Sequence, residues 1–272
     1  MTLKVTILGA GPSSGVPMVG GKWGACDPDE PRNRRRRASI LVESEGGAAI
    51  LIDSSPDCRQ QLLDAGVTRL DAVLYTHAHA DHSHGIDDLR WINVAMHAPL
   101  PAYGDAETLR LLDARFGYAF APLAFKPRGK TRYYKPVLQA QEITGPFTVA
   151  GLHVTPFAQD HGFSTTLGFR IGDFAYSTDV VRLDDAAFAV LEGIDTWIVD
   201  AFHRNPHPTH AHLELTLQWI ARLRPRRAAL CHMGNSLDYR TLCRELPPGV
   251  APGYDGMVLE VPENRPKSGE VK

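Results

Sequence analysis

The run Thr76-His77-Ala78-His79-Ala80-Asp81-His82 follows directly on the apolar residues Ala72 to Tyr75, so that His77, His79, Asp81 and His82 bring four metal-ligand side chains into six positions. Such density is a specific signal. Imidazole and carboxylate together suit zinc, manganese or iron. A regular strand would send alternate side chains to opposite faces. The spacing therefore predicts an irregular turn at the strand's carboxyl end, aiming all four groups into one cleft. The chemistry open to such a cluster is metal-assisted, since a bound divalent cation can lower the pKa of its water toward neutrality and offset the charge of an anionic substrate.

One metal needs more ligands than this loop supplies, and other candidates obey the same placement rule, a polar residue just past a buried strand. His161 follows the run Leu152 to Phe157, Asp179 follows Phe174 to Ser177, and His232 follows Arg227 to Cys231. Loops at one edge of a layered sheet structure converge on one cleft, where ligands collect. The set His77, His79, Asp81, His82, His161, Asp179 and His232 is thus expected at a shared rim. Asp53, just past its own strand, is expected to accept the free N–H of a ligand histidine.

The elements that must position these groups can be read from periodicity. Strands are expected at Lys4 to Leu8, Ser39 to Glu43, Ala49 to Ile52, Ala72 to Thr76, Leu152 to Phe157, Thr166 to Ile171, Asp173 to Ser177, Thr196 to Val199 and Arg227 to Cys231. Helical spacing marks Asp57 to Ala65, Ile86 to Val94, Asp105 to Phe116, Asp184 to Leu191 and His212 to Leu223, with Gly66 and Pro225 near helix ends. Strands and helices interleave without an internal repeat or a low-complexity linker, which predicts one domain over residues 1–262 and a polar tail over 263–272. Between Tyr118 and Pro146, the aromatics Tyr118, Phe120, Phe125, Tyr133 and Tyr134 interleave with Lys126, Arg128, Lys130, Arg132 and Lys135. That mixture can bind nucleic acid, but a surface connection or lid is the expectation here.

Composition narrows the class. A chain of 272 residues with 43% hydrophobic and 22% charged residues is ordinary for a soluble globular protein. A formal charge of −2 excludes a globally basic nucleic-acid binder. No apolar run reaches the roughly 20 residues needed to span a bilayer, and the opening lacks the basic start of an export signal. Cys26, Cys58, Cys231 and Cys243 are scattered, which argues against a disulfide framework. A cytoplasmic location is expected. The glycine-rich Gly9 to Gly15 segment is a poor dinucleotide fingerprint, since Pro12 and Pro17 interrupt any following helix; a turn whose serines border the cleft is expected instead. The run Arg34 to Arg37 reads as a solvated face that can offer one guanidinium to a phosphate. His203 and His207 are expected to line the pocket.

These residues carry a resemblance over nearly the whole chain. Ile7-Leu8-Gly9-Ala10-Gly11 through Gly15-Val16-Pro17, Leu51-Ile52-Asp53, the HxHxDH loop, Ser177-Thr178-Asp179, Thr209-His210-Ala211-His212-Leu213 and Cys231-His232-Met233 resemble the metallo-β-lactamase-fold hydrolases. Within them the chain looks more like the PhnP-type cyclic phosphodiesterases and ribonuclease Z than the lactamases. The resemblance implies an α/β (α+β) fold, a four-layer αββα sandwich. It implies two divalent metal ions, Zn2+ or Mn2+, one on His77, His79 and His161, the other on Asp81, His82 and His232, with Asp179 bridging. Asp81 and His210 are the expected catalytic residues, His210 acting on the phosphate or the leaving oxygen, as an imidazole that titrates near neutrality can.

Two departures from the family pattern matter. The region Gly20 to Cys26 holds one cysteine, and Asn235 stands where a histidine would complete a further structural zinc site, so that zinc is expected to be absent. No tRNA-binding arm is evident. The expected activity is a phosphodiesterase acting on a small cyclic phosphate or nucleotide-like diester through a metal-bound hydroxide. The expected partners are that substrate and a second copy of the chain in a homodimer, with neither a membrane nor a stable nucleic-acid complex. The rivals are hydrolysis of another ester, thioester or lactam, and a non-hydrolytic accessory role resembling that of the pyrroloquinoline quinone pathway member of the superfamily.

Overall fold

Long aliphatic runs with turn residues at their ends can bury both faces of a strand at once, and this protein uses them to build two seven-stranded sheets. A computed structural model describes residues 2–123 and 135–262. The first sheet contains β1 (Leu3–Gly9), β2 (Ser39–Ser44), β3 (Ala49–Ile52), β4 (Ala72–Leu74), β5 (Leu100–Gly104), β6 (Leu138–Glu142) and the returning β14 (Val258–Val261), in the order β14-β1-β2-β3-β4-β5-β6. The second contains β7 (Phe147–Val149), β8 (Leu152–Asp160), β9 (Thr165–Ile171), β10 (Phe174–Ser177), β11 (Thr196–Asp200), β12 (Arg227–Cys231) and β13 (Val250–Pro252), in reverse chain order. Each sheet begins antiparallel and turns parallel, at β3 in the first and at β10 in the second.

Parallel neighbours need crossovers, and helices supply them. The helices α1 (Cys58–Asp64), α2 (Ala80–Ser83), α3 (Leu89–Met96) and α4 (Ala106–Phe120) serve the first sheet, and α5 (Asp185–Leu191), α6 (Leu213–Leu223) and α7 (Tyr239–Glu245) the second. Asp105, Asp184 and Asp238 cap α4, α5 and α7, each accepting a hydrogen bond from a first-turn backbone N–H. Side-chain alternation then builds the layers. Val5, Ile7, Ile40, Val42, Ile50 and Ile52 face the second sheet. Leu41, Leu51 and Val73 point the other way, onto Leu62 of α1, Ile92 of α3 and Leu112 of α4. Trp197, fully buried in the second sheet, donates its indole N–H to Ser177 Oγ at 3.0 Å. The expected αββα sandwich is therefore present.

Several readings change. The stretch from Tyr118 to Pro146 contains the last turn of α4 and the edge strand β6, so it is more than a connection. Phe125, Lys126, Arg128, Lys130, Arg132, Tyr133 and Tyr134 lie outside the described residues, as does the tail 263–272. Among the described residues no helix is long and apolar enough to cross a membrane.

The arginine run is corrected as well. Arg34 stacks on Trp23, Arg36 pairs with Asp64, and Arg37 pairs with Asp57. Arg35, however, is only 2% exposed. Its guanidinium donates to the carbonyls of Met233, Gly234 and Leu237 and to Asn33 Oδ1. A buried cation is tolerated here because backbone oxygens replace its water. The same bonds fasten the loop that follows His232. Gly9 and Gly11 let this arginine segment come close, since a Cβ at either would fall within 2.8 Å of the backbone oxygen of Arg37 or Arg35.

Replacing Arg35 should therefore damage the loop after His232. Arg35→Ala is expected to cost about 3 kcal/mol or more, because it strands several buried carbonyls. Arg35→Lys should recover only part of that, as a point charge lacks the planar fork. Urea unfolding checks both; a loss below about 1 kcal/mol for Arg35→Ala would contradict the assignment.

Candidate metal centre and active-site cleft

Strands β3, β4, β10, β11 and β12 run in the parallel portions of their sheets, and their carboxyl ends carry Asp53, His77, Asp179, Asp200 and His232. His161 follows β8, which points the same way as β10 because each is antiparallel to β9. Open α/β sheets bind ligands at such carboxyl edges. Three of these residues, Asp53 (φ 63°), Asp179 (φ 53°) and His232 (φ 55°), adopt the left-handed backbone region that non-glycine residues avoid. Each costs on the order of 1–3 kcal/mol and persists where the surroundings dictate it, commonly at functional sites.

The expected irregular turn after β4 is in part a helix. His79 sits at the amino end of α2, and Asp81 and His82 lie within it. The geometry around Asp179 decides what the cluster can do. Asp179 Oδ1 lies 4.0 Å from His77 Nε2 and 3.7 Å from His161 Nε2. Oδ2 lies 2.9 Å from His82 Nε2 and 3.4 Å from His232 Nε2. Asp81 Oδ2 is 3.3 Å from His82 Nε2 and 3.5 Å from His232 Nε2. The ligand atoms thus fall into two sets that could each hold an ion, His77, His79, His161 and Asp179 in one, Asp81, His82, Asp179 and His232 in the other.

Three of the histidines are held by Nδ1 with the other nitrogen facing the cluster. Thr76 Oγ1 donates to Asp53 Oδ2 at 2.8 Å, so it accepts from His77 Nδ1 at 2.9 Å. His82 Nδ1 donates to Asp53 Oδ2 at 2.7 Å, as expected for Asp53, and His161 Nδ1 donates to the carbonyl of Thr209 at 2.7 Å. This arrangement turns each Nε2 toward the cluster, where it offers a lone pair whenever that imidazole is neutral. Those of His77, His82 and His232 are buried and make no hydrogen bond, even where an acidic oxygen is near. Buried polar atoms without partners are costly, and an ion in each set would satisfy them. The donor set, imidazole with carboxylate, fits a divalent transition metal.

Charge separates the two sets. Burial pushes the pKa of His77 well below the usual 6.5 and lowers those of His79 and His161. Burial alone would also depress His82 and His232, but the facing carboxylates override it, raising His82 well above 6.5 and His232 to about 9. Burial would raise Asp179, yet His232 and His82 hold it well below the ordinary carboxylate range. In the metal-free protein the His77 side is neutral and the His82 side carries protons.

His210 stands at the cleft wall. Its ring stacks on His232 with centroids 4.7 Å apart, and its Nδ1 lies 3.1 Å from Asp200 Oδ2. Nδ1 therefore donates to Asp200, a partner the sequence reading did not single out. The signal was present only as one more acidic residue at a strand end. Ser13 lines the cleft, of about 350 Å³, together with His79, Asp81, His161, His210 and His232. His207 packs against the His210 ring at 5.2 Å rather than lining the cleft, and His203 Nδ1 accepts from the Asn205 N–H. The loop of Gly24 and Ala25 meets Asn235, whose carbonyl accepts from the Ala25 N–H at 2.8 Å.

Two sheets enclosed by helices, with histidines and aspartates gathered at their carboxyl edges, define the metallo-β-lactamase class of hydrolase fold. The chain belongs to the beta-lactamase superfamily, whose domain model matches residues 48–233. It is 34% identical over 265 residues to the octanoyltransferase of Porphyromonas gingivalis, covering 96% of this chain and 52% of that protein, so it spans about half the length of this relative. A crystal structure of a diphosphatase from the PhnP family superposes with a TM-score of 0.86 at 32% identity, covering 96% of this chain and 97% of that one. Zinc-bound PqqB from Methylobacterium extorquens superposes with a TM-score of 0.69 at 21% identity, covering 94% and 99% of the two chains, and shares the fold.

The charge asymmetry predicts ordered metal uptake. A first ion should enter the His77 side near neutral pH with little proton release. A second should displace protons from His82 and His232. Because the folded pKa of His232 is raised, its stabilising contact with the carboxylates is fully present below about 6.5 and is lost as pH climbs through about 9. The apparent affinity for the second ion should rise over that same window. Calorimetry in buffers of different ionisation enthalpy reads the protons directly, and uptake of both ions at pH 7 without release would refute the scheme.

Proposed function

We propose that this protein is a dinuclear metal-dependent phosphodiesterase acting on a small cyclic phosphate or nucleotide-like diester. One observation carries the reading: Asp179 presents one oxygen to His77 and His161 and the other to His82 and His232. A carboxylate that would be shared by two cations beside an open cleft suits in-line displacement at a phosphoryl centre. Likeness to the PhnP-family diphosphatase over nearly the whole chain supports phosphoryl chemistry. In this reading His77, His79 and His161 hold one ion, Asp81, His82 and His232 the other, and Asp179 both.

Two bound divalent ions, Zn2+ or Mn2+, supply Lewis acidity that activates water and offsets the charge of the diester. The chain does the rest. Asp53 fixes His82 directly and His77 through Thr76, so the donor nitrogens need no reorganisation. Asp200 holds His210 by Nδ1, which leaves Nε2 to carry a proton to the departing oxygen. Asp81 faces both His82 and His232 and keeps their donor atoms in register. The substrate is held as a free small molecule in the cytoplasm, with a homodimer as the proposed assembly.

Asp179→Ala should abolish metal-dependent hydrolysis of bis-p-nitrophenyl phosphate, while His210→Ala should lower kcat by about 10²–10⁴-fold, the usual worth of a positioned acid. Full activity of Asp179→Ala would refute the bridge. Assaying cyclic and linear diesters with zinc and with manganese, alongside octanoyl thioesters, separates this reading from acyl transfer or hydrolysis. Thioester turnover without diester turnover would overturn it, and so would tight binding of a quinone precursor with no hydrolysis.

A further inference from the structure

Phe163 is 92% exposed, two residues past His161. A single exposed apolar side chain is common on protein surfaces, so its position and surroundings must make the case. Its turn is tied down. The His161 N–H donates to the Ser164 carbonyl at 2.9 Å, the Phe163 N–H to the His161 carbonyl at 3.0 Å, and the Gly162 N–H to Asp160 Oδ1 at 2.8 Å. Asp160 is held in turn by Arg182 at 2.8 Å. Gly162 (φ 76°) leaves no room for a Cβ, which would sit 2.7 Å from the Pro208 carbonyl. A phenyl ring is thus kept in water on a rigid turn, and among the described residues no other aromatic ring packs on it.

Phe163 and Ser164 line two concavities. One is the cleft of about 350 Å³ at the histidines, and the other, of about 430 Å³, is lined also by Gln159, Thr165, Arg182 and Asp184. Among the described residues Phe163 is the one large apolar side chain lining the first, where Ser13, Ser164 and Thr209 add hydroxyl groups. An aliphatic chain would need continuous apolar walls, and the cleft beside Phe163 is lined by hydroxyl-bearing and charged residues instead. A flat group with polar edges fits better, because its face can stack while its edges hydrogen-bond.

We infer that Phe163 is the platform on which the substrate's planar group stacks, so that the preferred diester carries a nucleobase or similar heteroaromatic ring on the side away from the metal ligands. The inference rests on the phosphodiesterase reading and deepens it. The phosphoryl group lies at the histidine cluster, the sugar passes Ser164, and the ring covers Phe163. Stacking of this kind tolerates different bases, since each has a π-face. Phe163 would therefore select nucleotide-like over alkyl esters without choosing among bases.

Binding to the metal-replete protein tests it with thymidine 5′-monophosphate, methyl phosphate and hexyl phosphate as probes, measured by equilibrium dialysis on wild type, Phe163→Ala, Phe163→Leu and Phe163→Tyr. Phe163→Ala should weaken thymidine 5′-monophosphate about tenfold and leave methyl phosphate within twofold. Phe163→Tyr should retain the affinity, and Phe163→Leu should not. Equal weakening of methyl phosphate would mark a merely structural effect and overturn the inference. So would equal weakening of hexyl phosphate, which would assign the ring to an acyl or alkyl group, and so would no change in any probe. Failure of the wild type to hydrolyse any diester would sink the phosphodiesterase reading by itself, and the binding comparison would still decide the role of Phe163.

Discussion

Asp53, Asp179 and Asp200 are buried at one edge of this protein with Asp81 beside them, and among the described residues no lysine or arginine pairs with any of the four. Removing carboxylates from water without countercharge is prohibitive. Histidines are the groups within reach, and they can answer in two ways, by holding protons or by holding metal. The raised pKa values of His82 and His232 are the first answer, and the unpartnered Nε2 atoms of His77, His82 and His232 are the provision for the second. A site that needs positive charge in either state is one in which a bound cation would stabilise the carboxylates that protons otherwise neutralise.

That demand explains why backbone strain is tolerated where it is. Asp53, Asp179 and His232 leave the ends of β3, β10 and β12 in left-handed conformations, which turn each side chain across the rim instead of along its strand. Strain of a few kcal/mol in total must be offset elsewhere. Both faces of the first sheet are packed, by the second sheet on one side and by α1, α3 and α4 on the other, and the Arg35 guanidinium secures the segment after His232. The cleft inherits its geometry from strands that cannot shift without opening the core.

Much of this was legible in sequence because it is local. The HxHxDH run sits in one turn, and His161, Asp179 and His232 each follow an aliphatic strand. Two strands of the first sheet were harder. The edge strand Leu138–Glu142 reads Leu-Gln-Ala-Gln-Glu and buries one side chain, and Leu100–Gly104, with a neighbour on each side, contains both Pro101 and Gly104. Neither sequence carries the β-branched content that marks a strand, because their existence depends on the neighbours they pair with rather than on their own apolar content. Arg35 was misread for a related reason: a charge run looks solvated unless one knows which carbonyls surround its members. Asp200 was invisible as a partner of His210, since ten residues and a change of direction separate them.

The division between the rim and the floor of the cleft bears on how such a fold takes up new chemistry. The floor is fixed by charge balance among side chains from both sheets, so substitutions there disturb binding of cations and folding together. The rim is made of short turns such as Gly162 to Ser164 and the Ser13 loop, each closed by its own hydrogen bonds and free to change without moving a strand. Fold and floor therefore determine a reaction class, whereas the rim determines the molecule.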